Sequence, residues 1–269
     1  MRSMPRPPKW LLAARTGNAP PGDWLSRALS RAGVLRPDEA LAAIDAGRVK
    51  VGGKVTTKPF TPVTAQTEVT VDGQPVRLET VTRVLVLNKP KGVVSAAKDD
   101  QKVGTVFDVL DAALPEPLRG YGWHAVGRLD RDTTGLLLFT NDERFVAHAT
   151  SPDRHLPKRY VAQVYGEVTK EKLATLARGM TLDDGPTRPA KAEARGAGAV
   201  VLTLVEGRHH QAKRMLGAVG LSAHALHREA IGSLVLDVPE RGLRELSQEE
   251  IAAALRFDPV ARQSLPEAR

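Results

Sequence analysis

The stretch Gly127–Asp142, GRLDRDTTGLLLFTND, decides how this chain is read. Its first half, Gly127 to Gly135, has neither a helical nor a strand period and reads as an ordered loop. Its second half, Leu136-Leu137-Leu138-Phe139, is a short apolar run of buried-strand type, ended by Thr140-Asn141-Asp142. A carboxylate carried by a loop against a buried strand is held in fixed geometry with limited access to water. Asp130 is therefore the candidate reactive acid. Arg128 stands beside it to orient or neutralise it, and Gly127 and Gly135 let the backbone bend or approach a ligand. Asp and Thr ahead of an apolar run also form Asx turns and caps, and Asp132 reads as such a turn residue.

Working outward, the 269 residues leave room for one large domain or two modest ones with a substantial core. The chain has no cysteine, which excludes a disulfide framework and a thiolate zinc site and fits a reducing cytoplasm. No apolar run approaches the roughly 20 residues of a membrane span. Residues 1–22 are basic and Pro-rich with only a scrap of apolar sequence, and read as a disordered tail rather than a signal peptide. Charge is uneven: residues 1–60 hold eleven Lys/Arg and four Asp/Glu, a surplus of seven within a net charge of +8. A basic end on a near-neutral body suggests a polyanion-binding appendage, while a solubilising basic face accounts for the charge equally well. Aromatic residues are sparse, which argues against a platform of many stacking rings.

Residues 24–47 carry two helical patterns. Trp24, Leu25, Ala28 and Leu29 share one face, closed by Gly33, and Arg36-Pro37-Asp38 starts a second helix, closed by Gly47. A strand Val49–Val51, a Gly52-Gly53 turn, a strand from Val55 and an alternating stretch from Glu68 into Gly73 follow. This is a compact module of the size that binds RNA. Arg27 and Arg31 line one helical edge, Arg36 lies at the corner, and Arg48, Lys50 and Lys54 decorate the hairpin. Beyond a linker, Val84–Leu87 reads as a buried strand entering the basic turn Asn88–Gly92, and Gly104–Leu114 as a helix. Further helices are expected from Asn141, over Thr169–Arg178 with Thr169 as its cap, over Gln211–Val219, and after the capping box Ser247-x-x-Glu250. Strands are expected at Tyr160–Val168, Val200–Val205 and, last, Leu234–Val238. Strands and helices mix without a regular βαβ rhythm, so the fold class is α+β with a mixed, largely antiparallel sheet flanked by helices.

Four patches are more polar than a core requires. They are the Asp130 loop, Lys158-x-Tyr160, Glu206–Arg214 (EGRHHQAKR) and His227–Gly232 (HREAIG). The third sets basic side chains at the mouth of a helix, an arrangement that suits phosphate. Two His with one Asp and no Cys make a weak metal set.

Taken together these segments resemble the RsuA-type family of ribosomal RNA pseudouridine synthases. GRLDRDTTGLLLFTND is similar to that family's catalytic motif almost position for position. LNKPKG, PKRYVAQV, GMTLDDGPTRPA, EGRHHQAKRMLGAVG, LHREAIG and VPERGLRELSQEE are similar to its other signatures, in order, across residues 24 to 255. The first module resembles the S-four-type RNA-binding domain that such enzymes carry, with Leu35-Arg36-Pro37 where a Ser-Arg pair is usual. Ser222-Ala223-His224 departs from the bulkier apolar residues common there.

The resemblance implies a tail over 1–22, an S-four-like domain over 23–80, a catalytic domain over 84–257 and a C-terminal tail over 258–269. It implies that Asp130 is the catalytic acid, that Tyr160 stacks on the target uracil, and that Lys213 is the cation paired with Asp130. Arg128, Lys89, Lys158, Arg208, His210, Gln211, Arg214 and Arg228 are implied to bind the substrate. It further implies a cytoplasmic monomer with no cofactor and no metal, acting on ribosomal RNA or an assembling ribosomal particle. The HQAKRM and ALHREAIG variants look nearest the small-subunit (16S) enzyme, with the large-subunit (23S) enzymes close behind. A non-catalytic RNA-binding assembly factor and a metal-dependent phosphoesterase built on Asp130, Asp132 and the His pair are the rival readings.

Overall fold

The structure, a computed structural model, describes residues 23–78, 81–96, 102–196 and 198–258. The tail 1–22 and all but the first residue of the tail 258–269 lie outside the described residues. The described chain divides into two compact units: residues up to Leu78 with Gly120–Gly122, and the remainder from Val81.

In the smaller unit the two expected helices run over Leu25–Arg31 and Pro37–Asp45. Pro37 occupies the first helical position, and Glu39 reaches back to accept from the Arg36 backbone N–H at 3.0 Å. A four-stranded antiparallel sheet follows in the order Lys54–Val55, Val49–Val51, Val69–Val71, Gln74–Val76. Its last hairpin turns on Asp72 and Gly73, both with positive φ (51° and 82°), as the tightest two-residue turns demand. Leu25, Leu29, Ile44, Val49 and Val69 form its core.

The larger unit is organised by a nine-stranded sheet. Its path runs Lys191–Ala194, Ala199–Leu204, Lys158–Tyr165, Ser222–Ile231, Thr133–Thr140, Val84–Lys89, Leu243–Glu245, with His124–Val126 and Leu234–Val235 added alongside. One pairing is parallel, between Ser222–Ile231 and Thr133–Thr140; the others are antiparallel. The fold is thus α+β on a mixed, largely antiparallel sheet.

Leu136 to Phe139 lie on Thr133–Thr140 with no exposed surface. Side chains alternate across a strand, so this run feeds two cores at once. Leu136 and Leu138 pack with Val84, Val86, Phe145 and Ile251, whereas Leu137 and Phe139 pack with Leu85, Leu87, Val106 and Leu110. Asp142, the third acid of the stretch, caps the helix Glu143–Thr150 and accepts from Thr82 Oγ1 at 2.6 Å. The expected capping box at Ser247 and Glu250 closes the helix Gln248–Leu255.

Gly135 is fixed by close approach. It sits at φ +103°, and a Cβ there would stand 2.3 Å from the Arg228 carbonyl oxygen. Only glycine lets the two parallel strands meet, over Leu226↔Thr133, His227↔Thr134 and Arg228↔Gly135.

Several expected boundaries move. The strand expected over Tyr160–Val168 spans Lys158–Tyr165, ending where Gly166 turns to φ 104°. The last expected strand shortens to Leu234–Val235, and Leu243–Glu245 adds an edge beyond it. Asn88 and Lys89 belong to a strand, not to the turn. The ten-residue strand Ser222–Ile231, which carries most of the His227–Gly232 patch, is not among the expected strands.

Candidate active site

The parallel pairing beside Gly135 lasts three residues, and a cavity of about 340 Å³ opens there, lined from both strands and from the Lys158–Tyr165 strand beyond. That volume lies at the small end of ligand sites and suits a single nucleotide. Asp130, Arg128, Lys158, Tyr160, Arg208, His210, Gln211 and Arg228 all line it.

Asp130 is about one-quarter exposed and stands between two basic side chains. His210 Nε2 lies 3.2 Å from Oδ1, and Lys213 Nζ lies 3.5 Å from Oδ2. His210 reaches this place from a left-handed backbone (φ 51°) immediately before the helix Gln211–Ala218, with its ring stacked on His209 at 3.7 Å. Lys213 approaches Asp132 more closely, donating to Oδ1 at 2.5 Å. The Lys213 ammonium holds the Asp132 carboxyl below its ordinary range. Asp132 therefore shares the cation, a role its reading as a turn residue missed. Its position two residues from Asp130 is the one signal for it in the sequence.

Tyr160 is half-buried in the cavity wall. Its hydroxyl lies 3.4 Å from Arg228 Nη1, and the guanidinium carbon stands 5.9 Å from the ring centre. Arg228 is itself buried, and its Nε donates to the Leu136 carbonyl at 2.7 Å. Lys158 donates to the Ala149 carbonyl at 3.3 Å, and burial, reinforced by the charge of Arg228, lowers its ammonium to about 8. Arg128 is exposed at the rim.

Four residues expected to touch substrate are held otherwise. Lys89 has no exposed surface, and its ammonium donates to the carbonyls of Thr133 (2.9 Å), Pro90 (3.0 Å) and Arg131 (3.4 Å). It ties down the loop that carries Asp130. Burial pulls it to about 8 against the opposing pull of Asp130 and Asp132. Gln211 is buried with both ends engaged: Nε2 donates to Glu206 Oε1 at 2.6 Å and Oε1 accepts from the Arg208 N–H at 3.1 Å. Arg214 forms a two-pronged pair with Asp184 at 2.9 Å on each prong, and the Arg214 guanidinium takes that carboxyl to about 2. Arg208 lines the cavity, but its guanidinium donates to the Gly185 carbonyl at 3.0 Å and also meets Pro186. These two Arg therefore clamp the hairpin of Thr181–Leu182 and Gly185–Pro186 to the helix mouth. Asp184 and Glu206 lie within the quoted segments GMTLDDGPTRPA and EGRHHQAKR, but nothing in either segment marks them as the partners of Arg214 and Gln211.

In the smaller unit, Arg31 is buried and paired with Asp23 at 2.8 Å, so it is not offered to a ligand. Arg27, Arg36, Arg48, Lys50 and Lys54 are all exposed; Arg36 pairs with Glu39 at 2.7 Å, Arg48 with Asp72, and Arg27 stands 4.0 Å from Asp23. Among the described residues no group of three or more His, Cys, Asp or Glu stands close enough to hold a metal ion, and no helix is long and apolar enough to cross a membrane.

An acid set between an imidazole and an ammonium, lining the same nucleotide-sized cavity as a tyrosine ring, is arranged to act on a nucleobase. Residues 83–218 match the RNA pseudouridylate synthase family, and the chain belongs to that family, in its RsuA-type branch. It is an enzyme that isomerises uridine in RNA. The "Ribosomal large subunit pseudouridine synthase B" of Bacillus subtilis is 38% identical over 238 residues, covering 84% of this chain and 93% of that protein. The "Ribosomal small subunit pseudouridine synthase A" of Salmonella typhimurium is 38% identical over 214 residues, covering 78% of this chain and 90% of that protein. A pseudouridylate synthase crystal structure superposes with a TM-score of 0.58 at 32% identity, covering 86% of this chain and 98% of that one.

Proposed function

We propose that this enzyme acts on one uridine of ribosomal RNA in the cytoplasm, with Asp130 as the reactive acid, Tyr160 as the ring against the uracil and Lys213 as the cation of Asp130. The observation that carries the reading is the Asp130 carboxylate held between His210 and Lys213 in the cavity that Tyr160 lines. An adjacent cation favours the ionised form of a carboxylate inside a pocket. Ionised Asp130 acts as nucleophile or base while the bond from C1′ to N1 breaks and the bond from C1′ to C5 forms. The C5 hydrogen leaves to solvent and N1 gains a proton, so atoms and charge balance with no electrons or groups exchanged. The reaction as written has no place for a cofactor.

The target base leaves its stack at a cost of a few kcal/mol, and stacking on Tyr160 returns about 1–3 kcal/mol of that. Arg128 at the rim and Lys158 within the cavity hold the phosphates of the displaced nucleotide. Residues 23–80 serve as an S-four-like RNA-binding domain, with the exposed cations Arg27, Arg36, Arg48, Lys50 and Lys54 supplying salt-dependent affinity.

The HQAKRM and ALHREAIG segments favour small-subunit 16S rRNA. The Bacillus subtilis relative, named for the large subunit, aligns over the longer span and supports 23S rRNA as the second reading. Mapping pseudouridines in rRNA from cells with and without the gene tests both. Loss of one 16S position supports the first reading, loss of one 23S position the second, and an unchanged map in both refutes the assignment to rRNA.

A further inference from the structure

The same sheet that walls the cavity has a second side. Along Lys158–Tyr165, Ala162 and Val164 point into the core with Leu176, Met215 and Leu216, so Arg159, Val161, Gln163 and Tyr165 face the other way. Gln163 is exposed there, and Tyr165 is 67% exposed, the most open of the large apolar side chains. Tyr165 is not alone: the His224 ring stacks on it at 4.5 Å, tilted by 31°. An exposed aromatic pair on a sheet face is a platform for a flat partner.

At the opposite end of this face lies a groove of about 770 Å³, separate from the catalytic cavity. Strand alternation divides the two: Tyr160 and Leu204 line the cavity, and their neighbours Arg159, Thr203 and Val205 line the groove. His155, Lys191 and Arg256 border it, Arg188 meets the His155 ring there, and Glu193 is its one lining acid. Arg159 and Arg195 share the single carboxylate of Glu229, at 2.8 and 2.9 Å, which leaves a surplus of positive charge. His155 and Arg256 hold left-handed backbones (φ 51° and 54°), a conformation that a non-glycine residue rarely adopts.

We infer that this open face is a second RNA-binding surface. It takes a single-stranded segment of the substrate, phosphates in the groove and a base on Tyr165 and His224. Six residue steps lead from Arg159 to Tyr165, about 20 Å along the strand at roughly 3.3 Å each. That span is on the scale of the shortest single-strand sites, about four nucleotides. Charge decides the class of partner, because a basic groove leading to a stacking pair complements a polyanion with flat bases. The inference rests on RNA being the substrate, and it leaves the roles of Asp130 and Tyr160 untouched.

The test uses the full chain and an rRNA transcript. Affinity is measured across a salt series, and single-turnover tritium release is measured at saturating RNA. Lys191→Glu with Arg256→Glu weakens binding about tenfold or more and flattens the dependence of log Kd on log[salt] by about 1.4, two phosphate contacts at roughly 0.7 each. Tyr165→Ala with His224→Ala weakens binding about fivefold or more, the lower end of the loss of one stacked base. The single-turnover rate at saturation stays at the wild-type value in both, which separates this surface from the catalytic cavity. In the unaltered chain, photocrosslinking with 4-thiouridine-substituted transcript joins RNA to Tyr165 or His224. Unchanged affinity and salt slope in folded variants, or crosslinks confined to the cavity and residues 23–78, overturn the inference.

Discussion

Lys89→Met separates the holding of the reactive loop from contact with substrate. Burial takes the Lys89 ammonium from 10.5 to about 8, which makes its charged form about 3 kcal/mol costlier inside than in water. Met removes that cost but takes the donor from two carbonyls, Pro90 and Thr133, at about 1–3 kcal/mol each. The third, Arg131, still accepts from the Gly92 N–H at 2.8 Å. The two effects oppose, so stability at neutral pH falls by no more than about 3 kcal/mol. Catalysis has no such compensation. With its tether gone the loop drifts, and misplacement by about 1 Å costs on the order of a hundredfold in kcat. KM stays near the wild-type value because the ammonium is sealed from the cavity. The pH dependence has a definite sign. Between about 8 and 10.5 the unfolded chain holds more protons at this lysine than the folded one, so wild-type stability gains on the variant as pH rises through that window. Urea unfolding at several pH values and steady-state kinetics check both parts. A variant with a raised KM and intact kcat would refute the reasoning, because it would put the ammonium on the substrate.

Three further outcomes follow from the geometry. Lys158 titrates near 8, so below that value it is cationic and grips a phosphate; KM rises as pH climbs through about 8, and Lys158→Met removes that step from the KM–pH profile. Gly135→Ala sets a Cβ 2.3 Å from the Arg228 carbonyl oxygen at a φ of +103°. It destabilises by about 3 kcal/mol or more, seen as a lowered Tm or loss of soluble protein. Asp132→Asn releases Lys213 from its 2.5 Å partner to sit wholly on Asp130, so kcat stays within about tenfold of wild type, one positioned charge pair being worth on the order of 1 kcal/mol here.

The Asp130 loop and its strand were legible because four apolar residues in a row have few places to go. Buried on both faces, they form the middle of a sheet, and the loop before them inherits a fixed position. The Thr169 and Ser247 caps were legible for the same local reason, since a cap is written within four residues, whereas the helix expected from Asn141 starts at Glu143 with Asp142 as its cap. Ser222–Ile231 was not, because a buried Arg228 sits where alternation calls for an apolar side chain, and Ala223, His224 and Ala225 blur the period. The partners that hold Lys89, Arg31, Arg208 and Arg214 were not legible, for one cause. A basic side chain near a glycine or on a helix edge looks solvent-facing, and the carbonyls and carboxylates that claim it lie elsewhere. Asp184 is 30 residues from Arg214, and Thr133 is 44 residues from Lys89. The cluster of Asp130, Tyr160 and Lys213 was legible only through the resemblance to a family, because no local pattern joins three segments so far apart.

The central claim is that one carboxylate, set between His210 and Lys213, performs the isomerisation. Tritium release from an rRNA transcript labelled at C5 of uridine, with the wild type beside Asp130→Asn, measures it directly. Asn keeps the size of the side chain and removes its charge. The variant is expected to fold with an unchanged Tm, bind the transcript and release no tritium above background. Release at the wild-type rate would contradict the account, because the acid around which the cavity is built would then have no part in the chemistry.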